Sequence, residues 1–121
     1  EHTSALPHLR RALELAPERA TFHSNLGYAL ALSGNDKEAQ TAYERALQLD
    51  PELASAWLNL GNLKAQRGDY PGARAAYDRV EAIDPDDPRL VAVRAELEEL
   101  ERAARDGDVD GGGDDDGGGT P

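Results

Sequence analysis

The sequence contains no cysteine and no methionine among its 121 residues. The lack of cysteine excludes disulfide bonds, thiol catalysis and zinc sites built from thiolates, and nothing else suggests an oxidising compartment. The lack of methionine means that the natural start is missing, so we expect an excerpt or a processed product of a longer chain. No signal peptide pattern is visible. We therefore expect a cytoplasmic location, with a lost targeting segment as the open alternative.

Aromatic residues, long apolar runs and basic residues are also scarce. Aromatics make up 5% of the chain, and no apolar run approaches the ~18 residues that a membrane span needs. The chain has 13 bases against 24 acids and a net charge of −11. Phosphate backbones and anionic lipids repel such a chain, so we expect neither nucleic acid nor a membrane surface as a partner. The abundant alanine, leucine, glutamate and arginine favour helices.

Motifs for catalysis and metal binding are absent as well. The sequence has no GxSxG, no HExxH and no phosphate-binding glycine loop, and no histidine has a metal-ligand partner four residues later. Residues 106–111 match the opening of a calcium-binding loop, but Gly117 stands where such a loop needs its last acid. We therefore predict no catalytic residue, no metal site and no cofactor, and we expect that the chain is not an enzyme.

What the chain does contain is an internal repeat. Residues 20–53 and 54–87 align without a gap, and 12 of their 34 positions are identical. Residues 3–19 match 37–53 in the same register, so the unit is present once as a half and twice in full. A fixed period of this length indicates units that stack on one another. The identical pairs are Ala20/Ala54, Asn25/Asn59, Leu26/Leu60, Gly27/Gly61, Ala31/Ala65, Gly34/Gly68, Ala39/Ala73, Ala42/Ala76, Tyr43/Tyr77, Arg45/Arg79, Asp50/Asp84 and Pro51/Pro85.

Each full unit predicts two helices. Apolar residues of the first unit recur at helical spacing until Gly34, which ends the first helix. Asn35 and Glu38 match a capping box for a second helix, which ends before Pro51 because proline lacks the N–H that a continuing helix needs. After the second unit, Asp87 and proline begin another helix. Its apolar stripe consists of Leu90, Val93, Leu97, Leu100 and Ala104, with Glu96 and the other charged residues facing elsewhere.

This pattern resembles the tetratricopeptide repeat. The resemblance implies an all-α fold, a solenoid of antiparallel helix-turn-helix repeats that winds into a right-handed superhelix. We expect a half repeat at 1–19, full repeats at 20–53 and 54–87, a capping helix at 88–105 and a disordered Asp/Gly tail at 106–121. The residues that carry the resemblance are Leu26-Gly27, Ala39, Tyr43, Ala46 and Pro51 in the first unit, and Trp57, Leu60-Gly61, Ala73, Tyr77 and Pro85 in the second.

Two features that recur in both units need a physical reason. The first is a glycine inside a helix. Gly27 and Gly61 each cost ~1 kcal/mol relative to alanine at such a position. A bare backbone lets the second helix of the hairpin approach closely, with Tyr43 or Tyr77 packed over the gap. We therefore interpret both glycines as structural.

The second feature is an asparagine at equivalent positions of adjacent first helices. The resemblance implies that first helices line a concave groove, where Asn25 and Asn59 would form a ladder. A carboxamide both donates and accepts, so it can pair with the backbone of an extended peptide. The open alternative is that each amide bonds a carbonyl of its own helix or of the neighbouring repeat. The predicted peptide-binding residues are Asn25, Asn59, Tyr28, Asn62, Ser24, Gln66 and Arg89.

Two sets of charged residues are candidates for further binding sites, and neither is favoured. One subgroup of the family grips chaperone C-termini with lysines beside such asparagines, but this groove has only Arg89 as a nearby base. Arg11, Arg45 and Arg79 repeat at the unit spacing on the second helices. We interpret them as a solvated convex face with weak surface pairs.

These features predict a protein-interaction scaffold that binds an extended peptide segment in the concave groove. A second hypothesis is an appendage that presents substrate to a glycosyltransferase- or sulfotransferase-like domain absent from this chain. A third is a structural spacer that self-associates through the open N-terminal face at Leu6, Leu9 and Leu13. A protein or peptide is the expected partner under the first hypothesis.

Overall fold

Five helices follow one another in the part of the chain that the structure describes. The computed structural model describes Pro7 and residues 19–119, with side chains described up to Gly107. The helices are α1 (Ala20–Leu32), α2 (Asp36–Leu49), α3 (Ala54–Gln66), α4 (Tyr70–Ile83) and α5 (Arg89–Gly119). The expected all-α solenoid is confirmed. The half repeat predicted at 1–19, with its open face, lies outside the described residues apart from Pro7 and Arg19.

Glycine ends the first helix of each repeat, as the sequence predicts. Gly34 and Gly68 have φ of +84° and +87°, a conformation that side chains disfavour. The N–H of Gly34 donates to Ala31 O at 3.1 Å and the N–H of Asn35 donates to Leu30 O at 2.8 Å. This pair of bonds satisfies the last carbonyls of α1 and turns the chain back into α2.

The caps of the second helices differ from the expected pattern. Asn35 precedes α2, but its side chain makes no cap hydrogen bond, so the capping box predicted with Glu38 is not formed through Asn35. In the next repeat Asp69 takes this role, since its Oδ1 accepts from the N–H of Gly72 at 3.0 Å. A carboxylate at the positive end of a helix adds a favourable interaction with the helix dipole to this hydrogen bond.

The close approach inferred for the two helical glycines is confirmed. A Cβ placed on Gly27 would lie 2.8 Å from Tyr43 Cδ1, and one on Gly61 would lie 2.6 Å from Tyr77 Cε1. Real Cβ atoms do not come this near a neighbouring ring. Each tyrosine therefore fills the space that a side chain on the paired helix would need.

The core runs along the stack as two clusters that share Trp57. Leu30, Tyr43 and Leu60 belong to the first cluster, which joins α1, α2 and α3. The second cluster joins α3, α4 and α5, and Trp57 packs against both. Each hairpin therefore completes its core only with the helix that follows it.

None of the described helices is long and apolar enough to cross a membrane.

Helix α5 covers the last hairpin. Leu90, Val93 and Leu97 are buried against α3 and α4, whereas Leu100 is 37% exposed. The sequence predicts an end near residue 105, but the helix continues to Gly119. Aspartate and glycine have low helix propensity, so the sequence offers no physical reason for this extension.

Ion pairs fasten α5 to α4 along its outer side. Arg94 Nη2 lies 2.9 Å from Asp78 Oδ1 and 2.8 Å from Glu81 Oε1. Farther along, Arg74 of α4 pairs with Glu101 of α5. Exposed pairs contribute little individually.

Asp87 caps the start of α5 and is only 7% exposed. Its Oδ1 accepts from the Arg89 backbone N–H at 2.9 Å, and its two oxygens accept from the Arg89 guanidinium at 2.9 and 2.6 Å. The side-chain bonds from Arg89, then its backbone N–H, lower the pKa of Asp87 to about 2. The expected aspartate cap is therefore present, with Arg89 as its partner.

Asp87→Asn is expected to destabilise the protein at neutral pH and to lose this effect in acid. The folded-state pKa lies below the unfolded value of 3.8, so the carboxylate stabilises the fold above that value. This contribution falls as the pH drops from about 4 towards 2. Urea unfolding midpoints of the wild type and the variant should therefore converge over this window. Asp86→Asn, which removes the same charge from an exposed neighbour, serves as the control, and a difference that is undiminished at pH 2 would contradict the assignment.

Candidate functional site

The first helices of successive units lie side by side and form one surface. Helix α3 contacts α1 on one side and α5 on the other. We call this surface, formed by α1, α3 and α5, the groove. Two cavities open on it, one between α1 and α3 and one between α3 and α5.

The cavity between α1 and α3 has a volume of about 210 Å³. It brings together four of the seven residues predicted to bind a peptide. Two of them, Asn59 and Asn62, are partly buried, and the other two are exposed. The lining residues are Tyr28, Ala31, Leu32, Asp36, Tyr43, Asn59, Asn62, Leu63 and Gln66.

The other three predicted residues lie elsewhere. Asn25 is exposed on α1 but lines neither cavity of the groove. Ser24 is 4% exposed and faces the interior. Arg89 keeps an exposed guanidinium, but two of its nitrogens donate to Asp87. The cavity therefore gathers its predicted residues mainly from α3, and the ladder of Asn25 and Asn59 stays a prediction.

The carboxamide of Asn62 is held in one orientation. Its Oδ1 accepts from the hydroxyl of Tyr77 at 2.5 Å. Burial, followed by the nearby Glu96 carboxylate, raises the pKa of Tyr77 to about 12. The phenol is therefore protonated at neutral pH and can only donate to Asn62 in this bond. The Asn62 NH₂ is left to donate to another group.

The carboxamide of Asn59 makes no hydrogen bond to any described residue, and the same holds for Asn25. The open alternative, in which each amide bonds a carbonyl of its own helix or of the next repeat, is therefore not observed in the described part of the chain. Asparagine is unfavourable inside a helix. At position 59 this cost is not offset by a described hydrogen bond.

The cavity between α3 and α5 has a volume of about 430 Å³ and was not anticipated from the sequence. It shares Asn62 and Gln66 with the first cavity and adds Glu96, Leu97 and Leu100 of α5. The 34-residue repeat register could have identified these α5 residues from the sequence. Continued past residue 87, it aligns Glu96 with Asn62 and Leu100 with Gln66.

The comparisons with known proteins come from sequence and from structure. A family model described as tetratricopeptide repeat matches residues 37–97, which is half of the chain, and a second with the same description matches residues 20–53. The chain belongs to the tetratricopeptide repeat family. A search of curated proteins finds no match.

Several solved tetratricopeptide repeat structures share this fold. The Arabidopsis OM64 domain has a TM-score of 0.76 at 18% identity, and the match covers 81% of each chain. The first such domain of Spaghetti (RPAP3), bound to the HSP90 peptide SRMEEVD, has a TM-score of 0.75 at 16% identity, covering 86% of this chain and 80% of that one. YrrB, described as having an unusual peptide-binding site, has a TM-score of 0.73 at 28% identity. The YrrB match covers 78% of this chain and 48% of that one.

Two of the three arginines that repeat at the unit spacing, Arg45 and Arg79, lie on the second helices α2 and α4, and Arg11 lies outside the described residues. Arg79 is not simply solvated, because its guanidinium carbon lies 5.0 Å from the centroid of the Trp57 ring. The indole Nε1 of Trp57 donates to Pro51 O at 2.7 Å. Arg79 is exposed, as expected for a solvated face, and its guanidinium also stacks on an aromatic ring. Among the described residues, no group of histidines and acids could hold a metal ion.

Proposed function

We propose that this chain is a protein-interaction scaffold that holds an extended segment of a partner protein in the groove. Tetratricopeptide repeats are typically non-catalytic interaction modules, and structures similar to this one are described with a peptide or a peptide-binding site. The proposal extends that behaviour to the surface formed by α1, α3 and α5.

One observation carries the proposal. Two carboxamides one helical turn apart on α3 face an open cavity, and each retains hydrogen-bonding capacity toward a ligand. Asn62 offers its NH₂, while Asn59 offers both its NH₂ and its oxygen. An extended peptide presents N–H and C=O groups in alternation, which matches such a donor and acceptor pair. Contacts to the backbone hold a segment without selecting its side chains.

A carboxylate clamp of the chaperone-binding type does not fit this groove. The residues that line the two cavities include no lysine and no arginine. Arg89, the base predicted to lie nearest, is paired with Asp87. An acidic C-terminus would therefore find no bidentate partner here.

The double substitution Asn25→Ala plus Asn59→Ala is expected to weaken partner binding strongly while leaving helicity intact. Loss of hydrogen bonds to a peptide backbone should weaken binding about tenfold or more. We would select ligands from a phage-displayed library of random dodecapeptides and measure their affinities by fluorescence anisotropy. Because Asn59 lines the cavity and Asn25 does not, Asn59→Ala alone should account for most of the loss.

The control is Gln40→Ala, which removes a carboxamide from α2, outside the groove. Its side chain bonds only Glu44 among the described residues. Undiminished binding by the double variant would overturn the proposal. The substrate-presenting appendage and the self-associating spacer stay predictions, because no described contact bears on either.

A further inference from the structure

Three residues in repeat register form a row across the groove. Tyr28, Asn62 and Glu96 are spaced by 34 residues and stand on α1, α3 and α5 in turn. Asn62 borders both cavities, with Tyr28 beyond it on one side and Glu96 on the other. The row therefore runs from an exposed aromatic ring through an amide to a carboxylate.

Glu96 is exposed and forms no ion pair with a described residue. The arginine two residues before it, Arg94, is occupied by Asp78 and Glu81 of α4. A second carboxylate without a described ion pair, Asp36, lines the cavity between α1 and α3. Negative charge thus lies near both ends of the row, from Asp36 beside Tyr28 and from Glu96, and neither carboxylate forms an ion pair with a described base.

The walls around Glu96 are apolar. Leu97 and Leu100 line the same cavity, and the 37% exposed Leu100 leaves part of its side chain uncovered. A volume of about 430 Å³ is within the range of sites that hold a side chain or a small ligand. An apolar wall that ends in a carboxylate matches a side chain with an aliphatic stem and a cationic head.

We infer that the groove selects a peptide that carries a lysine or arginine, with the cationic head paired to Glu96 and the stem against Leu97 and Leu100. This inference rests on the proposed peptide-binding function and names the class of segment bound. An acidic segment would be repelled by Glu96 and Asp36. A neutral segment would leave the carboxylates without a partner.

The test uses the full chain and the peptides selected from the random dodecapeptide library. Selected peptides should be enriched in lysine or arginine at one position. Glu96→Gln should weaken their binding about three- to fivefold, because an exposed ion pair is lost. Glu98→Gln, which removes the same charge from an exposed position of α5 outside the cavity, should change it less than about twofold.

Charge exchange gives a second readout. Glu96→Lys should reject the selected peptides and bind versions in which the enriched base is replaced by glutamate. Peptides without a favoured base, or equal affinities for wild type and Glu96→Gln, would overturn the inference. If the Asn25→Ala/Asn59→Ala variant loses binding in that case, peptide binding in the groove is supported and only the preference for a basic residue is wrong. If neither variant alters binding, both ideas are wrong.

Discussion

Removal of residues 88–121 is expected to lower the free energy of unfolding by about 4 kcal/mol. Leu90, Val93 and Leu97 would be lost, and each buried aliphatic side chain contributes about 1.5–3 kcal/mol, offset in part by the entropy of ordering the helix. Tyr77 and Val80, now 2% and 0% exposed, would meet water on one side. Since small domains are stable by only about 5–15 kcal/mol, the second repeat should become marginal.

Urea denaturation followed by circular dichroism would measure this loss. A chain that ends at Gly107 is the control, because the described contacts of α5 with α4 come from residues up to Glu101. It should unfold close to the wild-type midpoint. Leu97→Ala, in the full chain, should cost about 3 kcal/mol by leaving a cavity. A chain without residues 88–121 that matches the wild type would show that α5 does not close the core.

The repeat pattern was enough to predict the scaffold because local signals and packing agree. Gly34 and Gly68 end their helices in a conformation that glycine alone adopts easily. Such helix ends can be predicted from a single sequence. The pairing of Gly61 with Tyr77 is likewise encoded, since a missing side chain and a large ring recur at a fixed spacing. Features of this kind depend on residues within one repeat.

The candidate site was predicted less completely, because it depends on contacts between units. The register identifies Asn59 as a groove residue, but the orientation of Asn62 follows from a hydroxyl on another helix. Arg89 was expected to bind the peptide, whereas in the structure its guanidinium forms an ion pair with Asp87, two residues away. Glu96 was assigned no role in binding because it lies off the apolar stripe of its helix.

Gly61→Val is expected to lower the free energy of unfolding by about 3 kcal/mol, the cost of an overpacked core. Its Cβ would lie 2.6 Å from Tyr77 Cε1 and 3.2 Å from Ala76 Cβ. The Tyr77 ring can move aside only by losing packing and its bond to Asn62, because it is 2% exposed and its hydroxyl is bonded to that residue. The gain in helix propensity over glycine, below about 1 kcal/mol, does not offset this clash.

Gly107→Val is the matched control, since a Cβ at that glycine meets no atom within 4 Å. Its stability should equal or slightly exceed that of the wild type, as measured by urea denaturation. The two substitutions add the same atoms inside a helix, so a difference between them isolates the contact with Tyr77. Equal stabilities would mean that α3 and α4 do not approach closely at Gly61. A displaced Tyr77 would no longer hold Asn62 in its orientation. If Gly61→Val is destabilised and, while still folded, binds peptides more weakly, the result would show that this contact supports the groove.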